Sequence, residues 1–393
     1  SGTLHKRQAQ KFRSHFSICD LVPPFSSTCF AVYLFHVIAS HHHPHSMNNT
    51  IEKKDEDVSF VCTPLQKEVI VSDFTPNTLL TVIAGPGSGK TRTLCSRLAY
   101  MMSKEGGGMK PNEILVLSLT NKSVDDFKYR LGDLVSDKIA ANADVMTFHS
   151  LAASVLRKQY NNWRLVEEDD IKRLCEFIRD PKRNNKSFPI MQMKGLIGKM
   201  HEMTPEQFDS YSDETFQSDY GVSKSLYIKI QRLIGAKNAF TYDNMLIECN
   251  RILRSDKVPE FIKKYKVIFV DEFQDAYPAL ISIITALNKG RHLTLAGDSN
   301  QSIYEFMGAS PQKSWRKIAS MYNSDKKHKI VLNQAFRSTP ELLELSNKVL
   351  GITQINLQEC VKESAQIAPI RKSFENKEKE HQFMYDEIAR LVN

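Results

Sequence analysis

The sequence has little of what marks several common classes of protein. Its seven cysteines include no Cys-x-x-Cys pair and recur at no spacing typical of a zinc site or a disulfide framework, so a reducing compartment fits best. No apolar run is long enough to cross a membrane, and there is no internal repeat or extended low-complexity tract. The excess of positive charge is also small, 53 basic against 45 acidic side chains, so a nucleic-acid surface would have to be a local groove. The 393 residues, 41% of them hydrophobic, predict a soluble globular protein of two or three domains.

Acidic residues are nearly absent from residues 1–46, which hold only Asp20. The segment begins at Ser1 without an initiator methionine, contains the apolar run "CFAVYLFHVIAS" and ends in "HHHPHS". Its basic start is compatible with a mitochondrial transit peptide, and artificial sequence ahead of Met47 is the alternative. We interpret the histidine tract as exposed or artificial in preference to a metal site. We assign residues 1–46 no function and expect them to be disordered or artificial.

From residue 79 onward, short apolar runs alternate with longer segments of helical period. The runs lie at 79–84, 113–119, 144–148, 267–271, 293–297 and 329–333. Nearly continuous apolar strands separated by helices predict an α/β fold with a parallel sheet that is covered on both faces. The stretch between the third and fourth runs is rich in charge and in helix-forming residues, and it predicts a helical insertion over residues 152–238.

Glycine is scarce overall, with 16 residues in the chain, yet three of them lie close together in "TVIAGPGSGKT", residues 81–91. A strand, this loop and the helical "RTLCSRLAYMM" follow one another in the order that a phosphate-binding loop needs. Backbone N–H groups of the loop would bind the β-phosphate, Lys90 would reach the β- and γ-phosphates, and Thr91 would place its hydroxyl on Mg²⁺. A glycine-rich loop without a ligand is the alternative. The predicted nucleotide-binding residues of this stretch are Ala84, Gly85, Pro86, Gly87, Ser88, Gly89, Lys90 and Thr91.

One position of this loop departs from the usual pattern, because Ala84 stands where the first glycine is expected. Alanine adds one methyl group, which we expect the loop to accommodate if the following Gly85 takes the strained backbone conformation.

A second segment, "KVIFVDEFQD", supplies the carboxylates that phosphoryl transfer needs. An apolar run delivers Asp271 at its end, where ligands bind in parallel sheets, and Glu272 follows directly. Asp271 would hold Mg²⁺ and Glu272 would polarise the attacking water. An acidic pair that only caps the next helix is the alternative. Together the loop and the carboxylates predict a nucleoside triphosphatase.

Eight segments, in order, resemble the motifs of the UvrD/Rep/PcrA helicases of superfamily 1A. They are "TPLQKEVI", "AGPGSGKTRT", "LSLTNKSVDDFKYRL", "MTFHSLA", "FTYDNML", "VDEFQDAYPAL", "LAGDSNQSIYEFMGA" and "LNQAFRSTPELL". The resemblance covers residues 63–343 and is nearest to the fungal mitochondrial branch. It implies an enzyme that uses ATP and Mg²⁺ to move 3′-to-5′ along single-stranded DNA, binds duplex junctions, and acts in repair, recombination or genome maintenance.

The family also implies an organisation into two RecA-like domains with ATP between them. Residues 47–151 and 239–345 would form the first domain, 1A, and the insertion 152–238 would be subdomain 1B. Residues 346–393 would be a linker and the start of the second domain. Because further family motifs would lie beyond residue 393, we expect a fragment that binds ATP weakly and unwinds DNA little or not at all.

Several residues outside the loop match nucleotide-binding positions of the family. Gln66 matches the glutamine that reads the adenine edge, and Arg92 matches an arginine that lies along the base. Phe336 stands where a tyrosine usually stacks on adenine, and a phenyl ring can also stack. Arg337 matches an arginine finger on the γ-phosphate, and Gln301 matches the residue that senses this phosphate.

The resemblance implies a second set of residues on the path of single-stranded DNA. Tyr304 and Phe306 match the aromatic pair on which bases stack. The residues that match first-domain motifs along the strand path are Thr120, Asn121, Thr147, Phe148 and His149. The alternative interpretations are that Phe148 belongs to the core and that His149 is a structural histidine.

Three departures from the family pattern predict altered coupling between nucleotide and DNA. Leu119 replaces an aromatic residue, Met307 replaces an arginine, and Ala335 replaces a residue that is often asparagine. The rival hypothesis is a nucleotide-gated module that binds single-stranded DNA or a protein without unwinding. A third is the motor part of a helicase–nuclease, although this sequence has no nuclease carboxylate cluster. We expect a monomer without membrane contact, in the mitochondrion or the nucleus.

Overall fold

The computed structural model describes residues 62–180, 186–198, 205–235, 238–304, 307–350, 359–364, 366, 369 and 372–392. The expectations for residues 1–46 and for Phe306 therefore lie outside the described residues.

The strands and helices of the described residues follow one another in the α/β order that the sequence predicts. The strands are β1 (Leu79–Ala84), β2 (Ile114–Ser118), β3 (Asp144–Thr147), β4 (Arg164–Leu165), β5 (Arg179–Asp180), β6 (Lys186–Ser187), β7 (Ala239–Phe240), β8 (Val267–Val270), β9 (His292–Gly297), β10 (Lys327–Leu332), β11 (Gln334–Ala335) and β12 (Glu359–Cys360). The helices are α1 (Pro64–Val71), α2 (Lys90–Met102), α3 (Asn121–Gly132), α4 (Asp137–Ala141), α5 (Phe148–Gln159), α6 (Glu168–Phe177), α7 (Ile190–Gly198), α8 (Pro205–Ser210), α9 (Asp213–Tyr220), α10 (Lys224–Gly235), α11 (Tyr242–Arg254), α12 (Glu260–Lys263), α13 (Pro278–Asn288), α14 (Pro311–Ala319), α15 (Pro340–Leu350) and α16 (Lys377–Val392).

Six of the strands form one parallel sheet in the order β10-β1-β9-β8-β2-β3. Each of the six apolar runs predicted from the sequence corresponds to one of these strands, so the prediction of a parallel α/β sheet is confirmed. The three central strands β9, β8 and β2 are buried along their whole length. Strands buried on both faces need apolar residues at every position, which is why they read as continuous runs.

Side chains alternate between two hydrophobic clusters, one on each face of the sheet. In β2, Leu115 and Leu117 belong to the first cluster, whereas Ile114 and Val116 belong to the second. The first cluster also holds α5, α11 and α13, and the second holds the buried faces of α2 and α3. Helix α13 is buried on all sides, as expected for a helix that is apolar all round.

Threonine caps fix where two strands give way to helices. The hydroxyl oxygens of Thr120 and Thr147 accept hydrogen bonds of 3.1 Å from the N–H groups of Ser123 and Ser150. Strand β3 therefore ends at Thr147, and Phe148 begins α5 although the apolar run included it.

A third hydrophobic cluster lies within the segment that was predicted to be an insertion. It joins buried residues of α6, α7, α9 and α10, including Leu174, Met193, Phe216 and Tyr227. The predicted boundary at residue 152 falls inside α5, whose buried residues Leu151 to Leu156 belong to the first cluster. The division into subdomains stays a prediction.

Candidate nucleotide-binding site

The candidate site lies where three neighbouring strands end. Strands β1, β9 and β8 are adjacent in the sheet and parallel, so their carboxyl ends meet at one edge. β1 leads into the glycine-rich loop, β8 into Asp271, and β9 into Asp298. Open parallel sheets bind their ligands at this edge. The topology thus brings the glycine-rich loop to carboxylates that lie about 180 residues or more further along the sequence.

The loop after β1 uses two glycines in the left-handed region of backbone space. Gly87 has φ +72° and Gly89 has φ +78°, values that side chains disfavour. Gly85 is not among the residues with positive φ, so the expectation that it carries the strain was wrong. Ala84 is the last residue of β1 and is 1% exposed, and its methyl group packs in the second hydrophobic cluster. The methyl group points into the core, which is why alanine can replace the usual glycine there.

The loop and the start of α2 have the features of a phosphate cradle. Gly89 is the N-cap of α2 and provides no side-chain cap, and the first turn contains no acidic residue. The N–H groups of that turn and the helix dipole therefore favour an anion. The Ser88 hydroxyl is buried without a hydrogen-bond partner, as a group awaiting a ligand would be. These features fit the phosphates of a nucleotide.

Lys90 joins the loop to both carboxylates that follow β8. Its Nζ lies 3.3 Å from Oδ1 of Asp271 and also donates a hydrogen bond to Oε2 of Glu272. The Lys90 and Asp271 side chains are 11% and 4% exposed, so water screens this ion pair little. A γ-phosphate would offer Lys90 an alternative anionic partner at this position.

The electrostatics of the two carboxyl groups differ although both face Lys90. Burial and the neighbouring Glu272 raise the pKa of Asp271 in spite of the lysine. Burial also acts to raise the pKa of Glu272, but the Lys90 charge and hydrogen bonds from Lys90 and Gln274 lower it below its usual value. The pKa of Lys90 is raised because the two carboxylates outweigh its burial. Glu272 is therefore held ionised, as a group that polarises water must be.

Glu272 has an unusual backbone, with φ 55° and ψ 40° in the left-handed region. It begins the 3₁₀ turn Phe273–Asp275, and Nε2 of Gln274 donates a hydrogen bond of 2.9 Å to its Oε2. Strained backbone of this kind is concentrated at functional sites. The turn directs the carboxylate back to the loop.

The residues predicted to contact the base and the γ-phosphate lie around the loop. Gln66 is 2% exposed and donates from Nε2 to the carbonyl oxygen of Ser88 at 3.1 Å. The Phe336 N–H donates to the carbonyl oxygen of Gly87 at 2.9 Å. A Cβ atom at Gly87 would lie 2.6 Å from Cβ of Arg337, so the segment bearing the predicted finger lies against the loop. Arg92 is exposed on the first turn of α2.

Gln301 connects to the same site through residues that sequence reasoning missed. Its Nε2 donates to Oδ2 of Asp298 at 2.9 Å, and the Asp298 N–H donates to Oε1 of Gln274 at 3.0 Å. Gln274 and Asp275 lie inside the "DEFQD" segment, yet only its first two residues received a role. An amide and a carboxylate in the turn that follows the candidate carboxylates Asp271 and Glu272 were the available signal.

The residues predicted to line the DNA path are less uniform in position. Thr120 and Asn121 are exposed at the start of α3. Phe148 is 1% exposed in the first hydrophobic cluster, which is the position that its alternative interpretation predicts. His149 is half-buried, packs edge-on against Tyr242 at 5.5 Å, and has a pKa lowered by burial.

The remaining members of this set lie close to the core. Thr147 is 7% exposed and caps α5. Tyr304 is half-buried against the first cluster, as are Leu119 and Met307.

The donor set for a metal ion is small. No group of three or more His, Cys, Asp or Glu side chains within the described ranges could hold a metal ion. Thr91 and Asp271 provide a hydroxyl and a carboxylate, which suits Mg²⁺ because this ion completes its shell with phosphate oxygens and water. Among the helices of the described part, none combines the length and the apolar character of a membrane span.

A parallel six-stranded sheet with a phosphate-binding loop after β1 and an acidic pair after β8 defines a RecA-like P-loop fold. Residues 62–321 match the model of the UvrD/REP helicase N-terminal domain, and the chain belongs to this family.

Curated relatives share this part of the sequence. The chain is 28% identical to the mitochondrial ATP-dependent DNA helicase HMI1 of Saccharomyces cerevisiae, over 84% of this chain and 48% of the relative. It is also 28% identical to UvrD1 of Mycobacterium tuberculosis, over 73% and 39% of the two chains, and to PcrA of Staphylococcus aureus, over 69% and 38%. A crystal structure of the Pif1 helicase of Candida albicans matches 70% of this chain and 40% of that chain, with 13% identity and a TM-score of 0.29. The chain spans less than half the length of these curated relatives.

Proposed function

We propose that this chain is the ATP-binding part of an ATP-dependent DNA helicase or translocase that moves 3′-to-5′ on single-stranded DNA. In this proposal the loop, Lys90 and Thr91 bind Mg·ATP, Asp271 holds the metal and Glu272 orients the attacking water. Arg337 and Gln301 contact the γ-phosphate, and Gln66, Arg92 and Phe336 contact the adenine, as the family resemblance implies. When bound, Mg²⁺ would neutralise charge on the phosphates.

One observation carries the proposal: Lys90 lies between Asp271 and Glu272 at the edge where β1 and β8 end. Catalysis of phosphoryl transfer depends mainly on positioning and on charge stabilisation, and these three side chains supply both at one place. An acidic pair that served only as a helix cap would not need a buried lysine from another segment.

The DNA side of the proposal rests on two exposed residues and one half-buried tyrosine near the same edge. Thr120 and Asn121 at the start of α3 and Tyr304 after β9 would contact the strand, with Tyr304 as a stacking platform. The name of the yeast relative includes the mitochondrion, which supports a mitochondrial location for this chain. Roles in DNA repair or recombination belong to the same proposal.

Nucleotide binding by Lys90→Ala tests the site directly. Titration of a fluorescent ATP analogue with Mg²⁺ should show at least about tenfold weaker binding, because the lysine contacts the transferred phosphate. Lys329→Ala, at an exposed position of β10, is the matched control and should bind as the unaltered chain does. Equal affinity in the two variants would contradict the proposed site.

ATP hydrolysis with and without oligothymidylate then separates the enzyme from its rival. Hydrolysis that rises with single-stranded DNA supports the motor. Binding of ATP and DNA without stimulated hydrolysis supports a nucleotide-gated binding module.

A further inference from the structure

The 3₁₀ turn Phe273–Asp275 is bonded to the segment 298–304, which carries the predicted stacking residue Tyr304. The Asp298 N–H donates to Oε1 of Gln274 at 3.0 Å, and the Ser302 hydroxyl donates to the carbonyl oxygen of Gln274 at 3.2 Å. The Ile303 N–H donates to Oδ1 of Asp275 at 3.1 Å, and the Tyr304 N–H also donates to this carboxylate. Two side chains of the turn thus hold the backbone on both ends of the segment.

The same turn is bonded to the nucleotide site. Nε2 of Gln274 donates to Oε2 of Glu272 at 2.9 Å and lies 3.4 Å from Oδ2 of Asp275. Glu272 in turn accepts a hydrogen bond from Lys90. A continuous series of hydrogen bonds therefore runs from Lys90 to the backbone of Ile303.

Close packing keeps this connection stiff. A Cβ atom at Gly297 would lie 2.4 Å from Oε1 of Gln274, so the end of β9 and the turn are in direct contact. Asp275 is 8% exposed, and burial raises its pKa to about 6. The N–H groups of Ile303 and Tyr304 and the side-chain amide of Gln274 donate to its carboxylate. A buried carboxylate depends on such donors, so it holds the segment firmly.

We propose that Asp275 is a positioning residue that couples the nucleotide site to the Tyr304 segment. The inference rests on the proposed function. When a γ-phosphate binds Lys90, Glu272 loses one of its two donors and keeps Gln274, so that Glu272 and Gln274 can shift together. Asp275 passes the shift to the N–H groups of residues 303 and 304, and this changes how Tyr304 meets a base.

The test compares Asp275→Ala with Asp275→Asn in the full 393-residue chain. Affinity for a fluorescein-labelled oligothymidylate is measured with and without Mg²⁺ and a non-hydrolysable ATP analogue, and affinity for the analogue is measured with and without DNA. The coupling ratio is the affinity for one ligand with the other present, divided by the affinity without it. It must be the same for DNA and for the analogue, and roughly fivefold or more is expected for the unaltered chain.

Asp275→Ala should bring this ratio close to one, while affinity for the analogue without DNA changes less than about twofold, because Asp275 is not one of the residues proposed to bind the nucleotide. Asp275→Asn keeps an oxygen acceptor for the Ile303 N–H and should retain the ratio. Retention would show that the hydrogen bond, and not the charge of Asp275, carries the coupling. Ser302→Ala, which removes a neighbouring bond of the same segment, is the control for general loosening. If Asp275→Ala does not fold, Asp275→Ser replaces it. The serine side chain is one bond too short to reach the Ile303 N–H, so the same loss of the ratio is expected.

An undiminished ratio in Asp275→Ala or Asp275→Ser would overturn the inference and leave the proposed function intact. Loss of the ratio in Asp275→Asn and Ser302→Ala as well would show a general structural role and would also overturn it. An unaltered chain that binds neither the analogue nor DNA contradicts the proposed function and this inference with it.

Discussion

Arg97→Met tests how the helix that carries Gln66 is held against the rest of the fold. Arg97 is 0% exposed, and its guanidinium reaches the end of α1, where it donates to the carbonyl oxygens of Val69 at 2.7 Å, Ser72 at 2.8 Å and Asp73 at 3.2 Å. The last carbonyls of a helix have no partner within it, and a cation is favoured at this negative end of the dipole. A side chain from α2 thus completes α1.

The magnitude follows from two opposing terms. Arg97 makes five hydrogen bonds, including one with His292, and each is worth about 1.5–3 kcal/mol when the donor is charged. Against this, burial lowers its pKa from 12.5 to about 9, which corresponds to a cost of about 5 kcal/mol. Methionine fills a similar volume but leaves the carbonyls without a donor. We expect a loss of about 3 kcal/mol or more in the free energy of unfolding.

Urea denaturation followed by circular dichroism measures this loss. Arg130→Met is the matched control, because Arg130 is 43% exposed and pairs with Asp126 on the surface of α3, where such a pair is worth about 0.2–1 kcal/mol. A loss below about 1 kcal/mol for Arg97→Met, or an equal loss for the two variants, would refute the reasoning.

Three further predictions concern the loop, the core and the DNA side. Gly87→Ala should lower the free energy of unfolding by about 1–2 kcal/mol for its left-handed backbone, and further because the new Cβ would lie 2.6 Å from Cβ of Arg337. Gly221→Ala, with φ +76° and open space around it, measures the backbone cost alone, and equal losses of stability in the two variants would contradict the effect of the contact. Stability should fall as the pH drops from about 6.5 towards 3, because burial and the neighbouring Arg97 lower the pKa of His292 to about 3, so that only the unfolded chain takes up the proton in this range. In denaturation measured at several pH values, His292→Asn should make stability depend less on pH, whereas the control His328→Asn should not. Met307→Arg should increase the stimulation of ATP hydrolysis by single-stranded DNA, and an unchanged or lower rate would count against altered coupling at this position.

Most of the sheet could be predicted because strands that are buried on both faces are continuous apolar runs in the sequence. β1 has the bounds that its apolar run predicted, and the other central strands agree within one or two residues. The ends are harder, since Phe148 continues the apolar run of β3 but starts a helix once Thr147 caps it. A local hydrogen bond outweighs the apolar pattern there.

In the candidate site, too, local sequence motifs predicted some features and not others. That Lys90, Asp271 and Glu272 lie together could be predicted because they belong to short motifs at strand ends, whereas their roles stay a prediction. The strained glycine was not, since Gly85 and Gly87 look alike in sequence and only the path of the loop decides which has positive φ. Gln274 and Asp275 were missed because their partners in the segment 298–304 are more than 20 residues away, and hydrogen bonds over such separations leave no periodic pattern.

At Glu272, the cost of a left-handed backbone is set against the role proposed for the carboxylate. Glycine would adopt φ 55° without the cost of about 1 kcal/mol that a side chain meets in the left-handed region. Lys90 would still have Asp271 as a partner, 3.3 Å away. A library selected only for survival at high temperature would therefore measure whether relief of this backbone cost outweighs the hydrogen bonds that Lys90 and Gln274 donate to Glu272, and any Glu272→Gly protein that it returned would lack the carboxylate proposed to activate water.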